Sequence, residues 1–450
     1  MKARLIMACA VLALGAVATT MAVASGKHGN PKRSSYEVWM VDQSDTRPGF
    51  GGNLYVYQGE EVAKQASSAV PEKIDLGGEA SELCREQTGS APTRPHMIVF
   101  NGGDDSADGN ERLALAFVAS GHVLFMDADT REPIKCIDTG VQAHAVWPTR
   151  DQTQLVVANQ GDKKLSRIST DWDADEYELE QGATLDLANG TTPSGAQRQD
   201  PALRPNNAPI CPRTDDEGRV TFVTLAGGGM FVVDHMQTPM KIVAEYDKTQ
   251  VHANGCGGIE SGGKMYINSG AGTLADNPTE HDVYAFEVDA FDSDPNPPNT
   301  PAPRLIYSYD DRAEADSHGV VLTGRKERYL WTGDRQSNTM TVVDTRNDRL
   351  IEEFTLEGES SSDPAPDLLD VSPDGRHVFA ALRGPLPLSG GHSAPGNTPG
   401  VGVIEVRGGG RKGRLDSVAR VSNVLGGRDM ADPHAIRVRV LDGGRKGRGR

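Results

Sequence analysis

Beyond residue 24 the chain has no long apolar run, and as a whole it carries no excess of positive charge: 63 acidic side chains against 46 Lys and Arg give a formal net charge of -17. An acidic surface repels phosphates, which argues against nucleic acid and anionic membrane as partners and raises the local concentration of cations. Cys-x-x-Cys spacing is missing, and with it Cys-x-x-Cys-His haem attachment and the common zinc-thiolate pattern. There is no Gly-x-Ser-x-Gly elbow and no P-loop, and Gly227-Gly228-Gly229 reads as a tight turn between strands. Long helical periodicities are also scarce. What is abundant is 51 Gly and 27 Pro, the punctuation of many short strands joined by turns.

The N-terminus reads as a leader. Met1-Lys2-Ala3-Arg4 is basic, Leu5 to Ala24 is apolar, and the stretch ends in Ala22-Val23-Ala24, the small-residue pattern of a signal peptide (residues 1–24) cut before Ser25. Thr19, Thr20 and the Ala-x-Ala end favour cleavage over a membrane anchor, and most of the apolar stretch follows Cys9, which argues against a lipid-bearing cysteine there. Residues 25–33 then form a flexible N-terminus containing His28, and the mature protein is expected to be periplasmic, without a membrane span, and monomeric. Cys84, Cys136, Cys211 and Cys256 remain, an even number suited to disulfides in an oxidising compartment. Three pairings exist; Cys84 with Cys136 and Cys211 with Cys256 is favoured because each joins neighbours in the repeat order, and a zinc-thiolate site is the rival reading. Two basic stretches, Arg407 to Arg414 and Arg445 to Arg450, run against the acidic trend. They read as a flexible loop and, over 442–450, a frayed tail.

Strand-like runs such as Tyr36 to Val41, Asn53 to Tyr57, Val123 to Met126, Tyr329 to Thr332, Thr339 to Val343 and His377 to Leu382 fall into groups roughly forty to sixty residues apart, near the period of propeller blades. The clearest unit is Ser317-His318-Gly319-Val320-Val321-Leu322, a turn, Tyr329-Leu330-Trp331-Thr332, then Thr339 to Thr345. Asp370 to Phe379 repeats it with a Pro373-Asp374-Gly375 turn. These units resemble the YVTN-type repeats of seven-bladed β-propellers. Units begin at His96, His144, about Pro209, His252, His318 and Asp367, and a seventh arises if Pro433 to Leu441 pairs as the innermost strand with Tyr36 to Tyr57. The expectation is an all-β, seven-bladed β-propeller over residues 34–441 whose N- and C-terminal strands close one blade and so remove the open edges. Eight blades or two β-domains fit the same spacing.

Six of the units open with a metal-ligand residue: His96, His144, His252, His318, Asp367 and His434. Innermost strands line a propeller's channel, so these side chains would meet at a common centre. Imidazole nitrogen and carboxylate oxygen suit Zn(II), with Cu or Fe as further candidates. One or two such histidines are ordinary turn chemistry, whereas five of the 11 His together with an Asp point to ligation. Among the others, His122 and His377 read as outward or packed strand residues, His281 as part of a solvated charged loop, and His392 as part of a Gly/Pro/Ser loop.

On fold and ring pattern the chain resembles the AztD family of periplasmic zinc metallochaperones. The resemblance implies a non-enzymatic role, holding Zn(II) at His96, His144, His252, His318, Asp367 and His434 and passing it to the solute-binding protein of a zinc ABC importer. That family carries a His- and acid-rich N-terminal segment for transfer, of which only His28 remains here. Two other classes fit the same residues: a metal-dependent enzyme (a non-haem iron or copper oxidoreductase, a lyase or a lactonase), and a metal-free interaction scaffold.

Overall fold

A computed structural model describes residues 35–102, 110–270, 281–291, 300–309, 315–388 and 394–441. The expected leader, His28, His392 and the basic tail lie outside these residues.

The ring has seven four-stranded antiparallel blades, the third with one extra short strand. The closing blade joins both chain ends: Pro433–Val440 is innermost, followed by Tyr36–Asp42, Asn53–Gln58 and Glu72–Asp75. From the inside outward, the second blade is Pro95–Phe100, Arg112–Phe117, His122–Asp127 and Pro133–Asp138, and the third is Ala143–Pro148, Gln154–Asn159, Lys164–Asp171 and Glu176–Leu179. The fourth is Pro209–Thr214, Thr221–Leu225, Met230–Asp234 and Lys241–Tyr246, and the fifth is Gly258–Ser261, Lys264–Asn268, Asp282–Glu287 and Arg304–Ser308. Ser317–Thr323, Tyr329–Asp334, Thr339–Asp344 and Arg349–Thr355 form the sixth, and Pro366–Val371, His377–Leu382, Gly400–Arg407 and Lys412–Arg420 the seventh.

Both faces of each middle strand are covered by a neighbouring blade, which is why segments such as Leu113 to Phe117 and Thr221–Leu225 are buried without alternation. One apolar cluster runs unbroken through Trp39, Phe117, Val157 and Phe231, tying the closing blade to the second, third and fourth.

Two short helices interrupt the strands where the strand pattern in the sequence gave no sign of them: Gly59–Gln65 between Asn53–Gln58 and Glu72–Asp75 of the closing blade, and Glu79–Thr88 between the closing and second blades. The longer has acids at Glu79 and Glu82 in its first turn and stops at left-handed Gly89, both favourable to a helix. It carries Cys84 to Cys136 on the outer strand of the second blade, and Cys211 bonds Cys256 between the fourth and fifth blades, the pairing favoured from repeat order. Closing a loop of 52 residues restricts the unfolded chain, so a Cys84→Ser/Cys136→Ser variant is expected to lose about 2–4 kcal/mol in denaturant unfolding.

Candidate metal centre

The channel-facing residues sit at breaks in strand register. In the second blade Pro95 pairs with Phe117 and Met97 with Ala116, so His96 has no partner of its own. His144 is skipped in the same way between Ala143 and Ala145, as is His434 between Pro433 and Ala435. In the sixth and seventh blades the register slips between Ser317 and Val320 and between Pro366 and Leu369, freeing His318 and Asp367. A bulge leaves a residue unpaired and re-aims its side chain, here toward the axis.

The structure brings five of the six expected residues into contact. His96 Nε2 lies 3.2 Å from His144 Nε2. The rings of His96 and His434 stack with centroids 3.5 Å apart, and His318 meets His434 edge-on at 5.1 Å. Asp367 Oδ1 is 3.2 Å from His318 Nδ1 and 3.8 Å from His434 Nε2. His318, Asp367 and His434 are all buried, and their ligand atoms lie within 4.8 Å of one another. A cavity of about 510 Å³ opens onto His96, His144, His318 and His434.

His252 stands apart. The fifth blade's innermost strand starts at Gly258, not at Val251, so the expected strand opening is displaced. Its cause is the preceding stretch: a Cβ on Gly255 would sit 1.8 Å from the Asn268 carbonyl oxygen, and one on Gly257 2.5 Å from that of His318. This tight backbone brings Cys256 rather than His252 toward His144. His252 instead places Nδ1 2.6 Å from Asp282 Oδ2, an oxygen that also accepts from Ser269 and Tyr284. Burial works to raise the Asp282 carboxyl, but these hydrogen bonds, that of His252 foremost, hold it below its ordinary value.

Tautomers in the cluster are fixed by neighbours. His144 Nδ1–H donates to the Ile210 carbonyl at 2.7 Å, and His434 Nδ1–H to the His96 carbonyl at 2.9 Å. His96 Nδ1–H donates to Gln43 Oε1 at 2.8 Å, and Gln43 Nε2 donates in turn to Asp432, which sets the amide's orientation. Each of these three imidazoles therefore presents an Nε2 lone pair. The 3.2 Å gap between His96 and His144 sets two lone pairs against each other, an arrangement that needs a cation or a shared proton. His434 Nε2 and Asp367 Oδ1 likewise have no hydrogen-bond partner among the described residues. Buried polar atoms are normally satisfied, and such acceptors side by side suit a cation.

Charge agrees. Asp367 Oδ2 takes Arg383 at 2.8 Å and Arg335 at 3.2 Å; Arg383 also grips Asp432 at 2.7 Å and Arg335 grips Asp316 at 2.8 Å. Two guanidiniums face three carboxylates in this buried network. Burial would raise the Asp367 carboxyl, but His434, Arg335, His318 and Arg383 hold it far below the carboxylate range. Burial depresses His434 to about 3, with Arg383 and Arg335 adding to the effect and Asp367 opposing it. Burial also takes His96 well below its usual value, helped by His434 and His144. Both rings are neutral at pH 7, the state a metal requires.

Gln43, Arg335 and Arg383 each follow immediately on the second strand of their blade, as do Val118, Gln160 and Ala226 near the same cavity. This register forms an inner ring that the strand-opening pattern alone did not reveal. Its signal was present in the paired motifs Asp316-Ser317-His318 and Asp432-Pro433-His434, each followed by a buried Arg–Asp pair in space.

The remaining histidines are structural in their contacts. His122 is buried with Nε2 2.9 Å from Thr88 Oγ1, and His235, unremarked in the sequence, packs 3.0 Å from Thr221 Oγ1. His281 is wholly buried against Tyr307 at 2.8 Å and Asp334 at 3.5 Å, not solvated as its charged neighbours implied.

No protein-family model and no curated protein matches the chain. Among solved structures it is similar to the periplasmic gluconolactonase PpgL of Pseudomonas aeruginosa, at 14% identity over 91% of this chain and 100% of that one, with a TM-score of 0.56. A provisionally assigned 6-phosphogluconolactonase of Bacteroides uniformis ATCC 8492 gives 14% identity over 90% and 100%, also at 0.56. A protein from Lactobacillus plantarum gives 12% over 90% and 99%, at 0.56. These likenesses show the propeller fold.

Proposed function

We propose that the protein binds a divalent transition-metal cation in the channel, with Zn(II) as its cargo, and delivers it to the solute-binding protein of a zinc ABC importer. The observation that carries this reading is the buried group His318, Asp367 and His434, whose ligand atoms lie within 4.8 Å of one another and in which His434 Nε2 and Asp367 Oδ1 have no hydrogen-bond partner among the described residues. Neutral imidazole and carboxylate are the donors Zn(II) takes, and the bonds from Nδ1 to backbone and amide oxygen are the outer contacts that orient metal-binding histidines. Two disulfides support an oxidising, exported setting, with which a periplasmic station agrees. His252, held by Asp282 in the carboxylate–imidazole arrangement common at metal sites, enters the proposal as an outlying stop on the transfer route.

A lactone-hydrolysing role, the activity for which PpgL is named, is less well supported. The guanidiniums that would grip a sugar acid, Arg335 and Arg383, are already committed to Asp316, Asp367 and Asp432.

Calorimetric titration of metal-free protein with Zn(II) tests the reading. We expect tight binding that His434→Ala weakens at least about a hundredfold, more than loss of an outer contact does, while His252→Ala weakens it less. Unchanged affinity in His434→Ala would refute the channel site. Loss of zinc from loaded protein to a zinc-importer solute-binding protein, faster than its release to buffer, tests delivery.

A further inference from the structure

A concentration of positive charge lies at the other end of the strands from the histidines. His318 is the second residue of Ser317–Thr323, whereas Arg325 follows that strand's last residue, in the turn to Tyr329–Asp334. The turn after Thr339–Asp344 adds Arg346, and the turn between Gly400–Arg407 and Lys412–Arg420 of the seventh blade adds Arg411. Together they enclose a cavity of about 500 Å³ whose charged lining is Arg325, Lys326, Arg328, Arg346 and Arg411, with Tyr329 among them and no acid. In a chain of net charge -17 this runs against the average.

The pocket is built by close backbone approach. Gly324 has φ +77, and a Cβ there would meet the Gly409 carbonyl oxygen at 2.6 Å; one on Gly410 would meet Gly324 Cα at 2.7 Å. The Gly410 carbonyl accepts from Trp331 Nε1 at 2.7 Å and from Thr323 Oγ1 at 3.1 Å, so the seventh-blade turn is pinned to the sixth blade. Arg411 Nε donates to Tyr329 Oη at 3.2 Å, and the Arg328 guanidinium lies 5.1 Å from the centre of the same ring. Arg328 is paired with Asp344, at 3.0 Å from Nε to Oδ1, and Arg346 lies near the same carboxylate.

We propose that this pocket binds a compact multivalent oxyanion of the phosphoryl type. A single carboxylate would engage one guanidinium and leave the other cations repelling each other, whereas a phosphoryl group offers several strong acceptors and more than one charge to donors arriving from separate turns. The cavity exceeds the size of one phosphate and lies within the range of small-molecule sites, so it takes a diphosphate or a phosphorylated small molecule. The site is independent of the metal centre.

The test is calorimetric titration of metal-free protein with pyrophosphate, repeated on Arg346→Ser/Arg411→Ser, both exposed positions, and on His434→Ala. Saturable binding at one site per chain is expected, at least about tenfold weaker in the double variant, unaltered in His434→Ala and falling with added salt. A parallel sedimentation arm uses phosphatidylcholine vesicles with and without phosphatidylglycerol. Binding only to the anionic vesicles, displaced by pyrophosphate, makes a lipid headgroup the source of the phosphoryl group; no preference makes it a free solute. Absence of saturable pyrophosphate binding, or equal affinity in the double variant, overturns the proposal.

Discussion

Asp367→Asn should cost about 3–5 kcal/mol of stability, because it breaks a buried ion cluster at the carboxylate that two guanidiniums share. The carboxylate is wholly buried and its Oδ2 is shared by Arg383 at 2.8 Å and Arg335 at 3.2 Å. Arg383 keeps Asp432 and Arg335 keeps Asp316, so the two guanidiniums would then face two carboxylates with one shared contact gone between them. The same change removes Oδ1 as an anionic donor beside His318 and His434, so zinc affinity should fall together with the midpoint of denaturant unfolding. His318→Ala separates the two effects. It should lower affinity while leaving the Arg–Asp contacts in place, and a variant that lost stability to the same degree as Asp367→Asn would contradict this account.

Acidification supplies the second large effect. Burial holds His434 at about 3 and lowers His96, His122 and His235 as well. Unfolded histidine titrates near 6.5, so between about 6.5 and 3 the unfolded chain takes up protons that the folded one refuses, and stability falls as pH falls through that window. Asp42 and Glu260, each raised by burial to about 6, work with the opposite sign, since their folded forms take up protons first. They offset part of the histidine effect. The net result is a loss of stability by metal-free protein as pH falls below about 6.5. Denaturant unfolding at a series of pH values measures it, and His434→Gln should flatten the slope by about 1.4 kcal/mol per pH unit. For loaded protein the same shift means that protons compete weakly with the metal inside the folded channel. Zinc release on acidification should therefore track loss of the folded structure, not the ordinary imidazole titration.

The sequence made the blades legible because propeller strands are short, bounded by Gly, Pro and Asp turns, and repeated. His96, His144, His318, Asp367 and His434 stood out because each opens such a strand, and the register breaks that aim them inward share that position. His252 carried the same local pattern but lies six residues ahead of its strand, because Gly255 and Gly257 permit a backbone approach that no periodicity encodes. The arginines were hidden for another reason. Arg335 and Arg383 look like surface residues in turns, and only the ring closure buries them among aspartates contributed by other segments. The helix Glu79–Thr88 went unread because a single amphipathic turn sequence in a strand-rich chain carries little weight beside the repeats.

The closing blade gives the site a temporal order. His434 lies on the last strand of the ring, hydrogen-bonded to the backbone of His96 and stacked on its ring, while neighbouring Asp432 receives Arg383 and its carbonyl accepts from the Gln43 amide. A chain emerging amino end first can assemble every other blade and still lack this member. On the proposed function, the channel cluster is complete only once Pro433–Val440 has docked against the strands already in place.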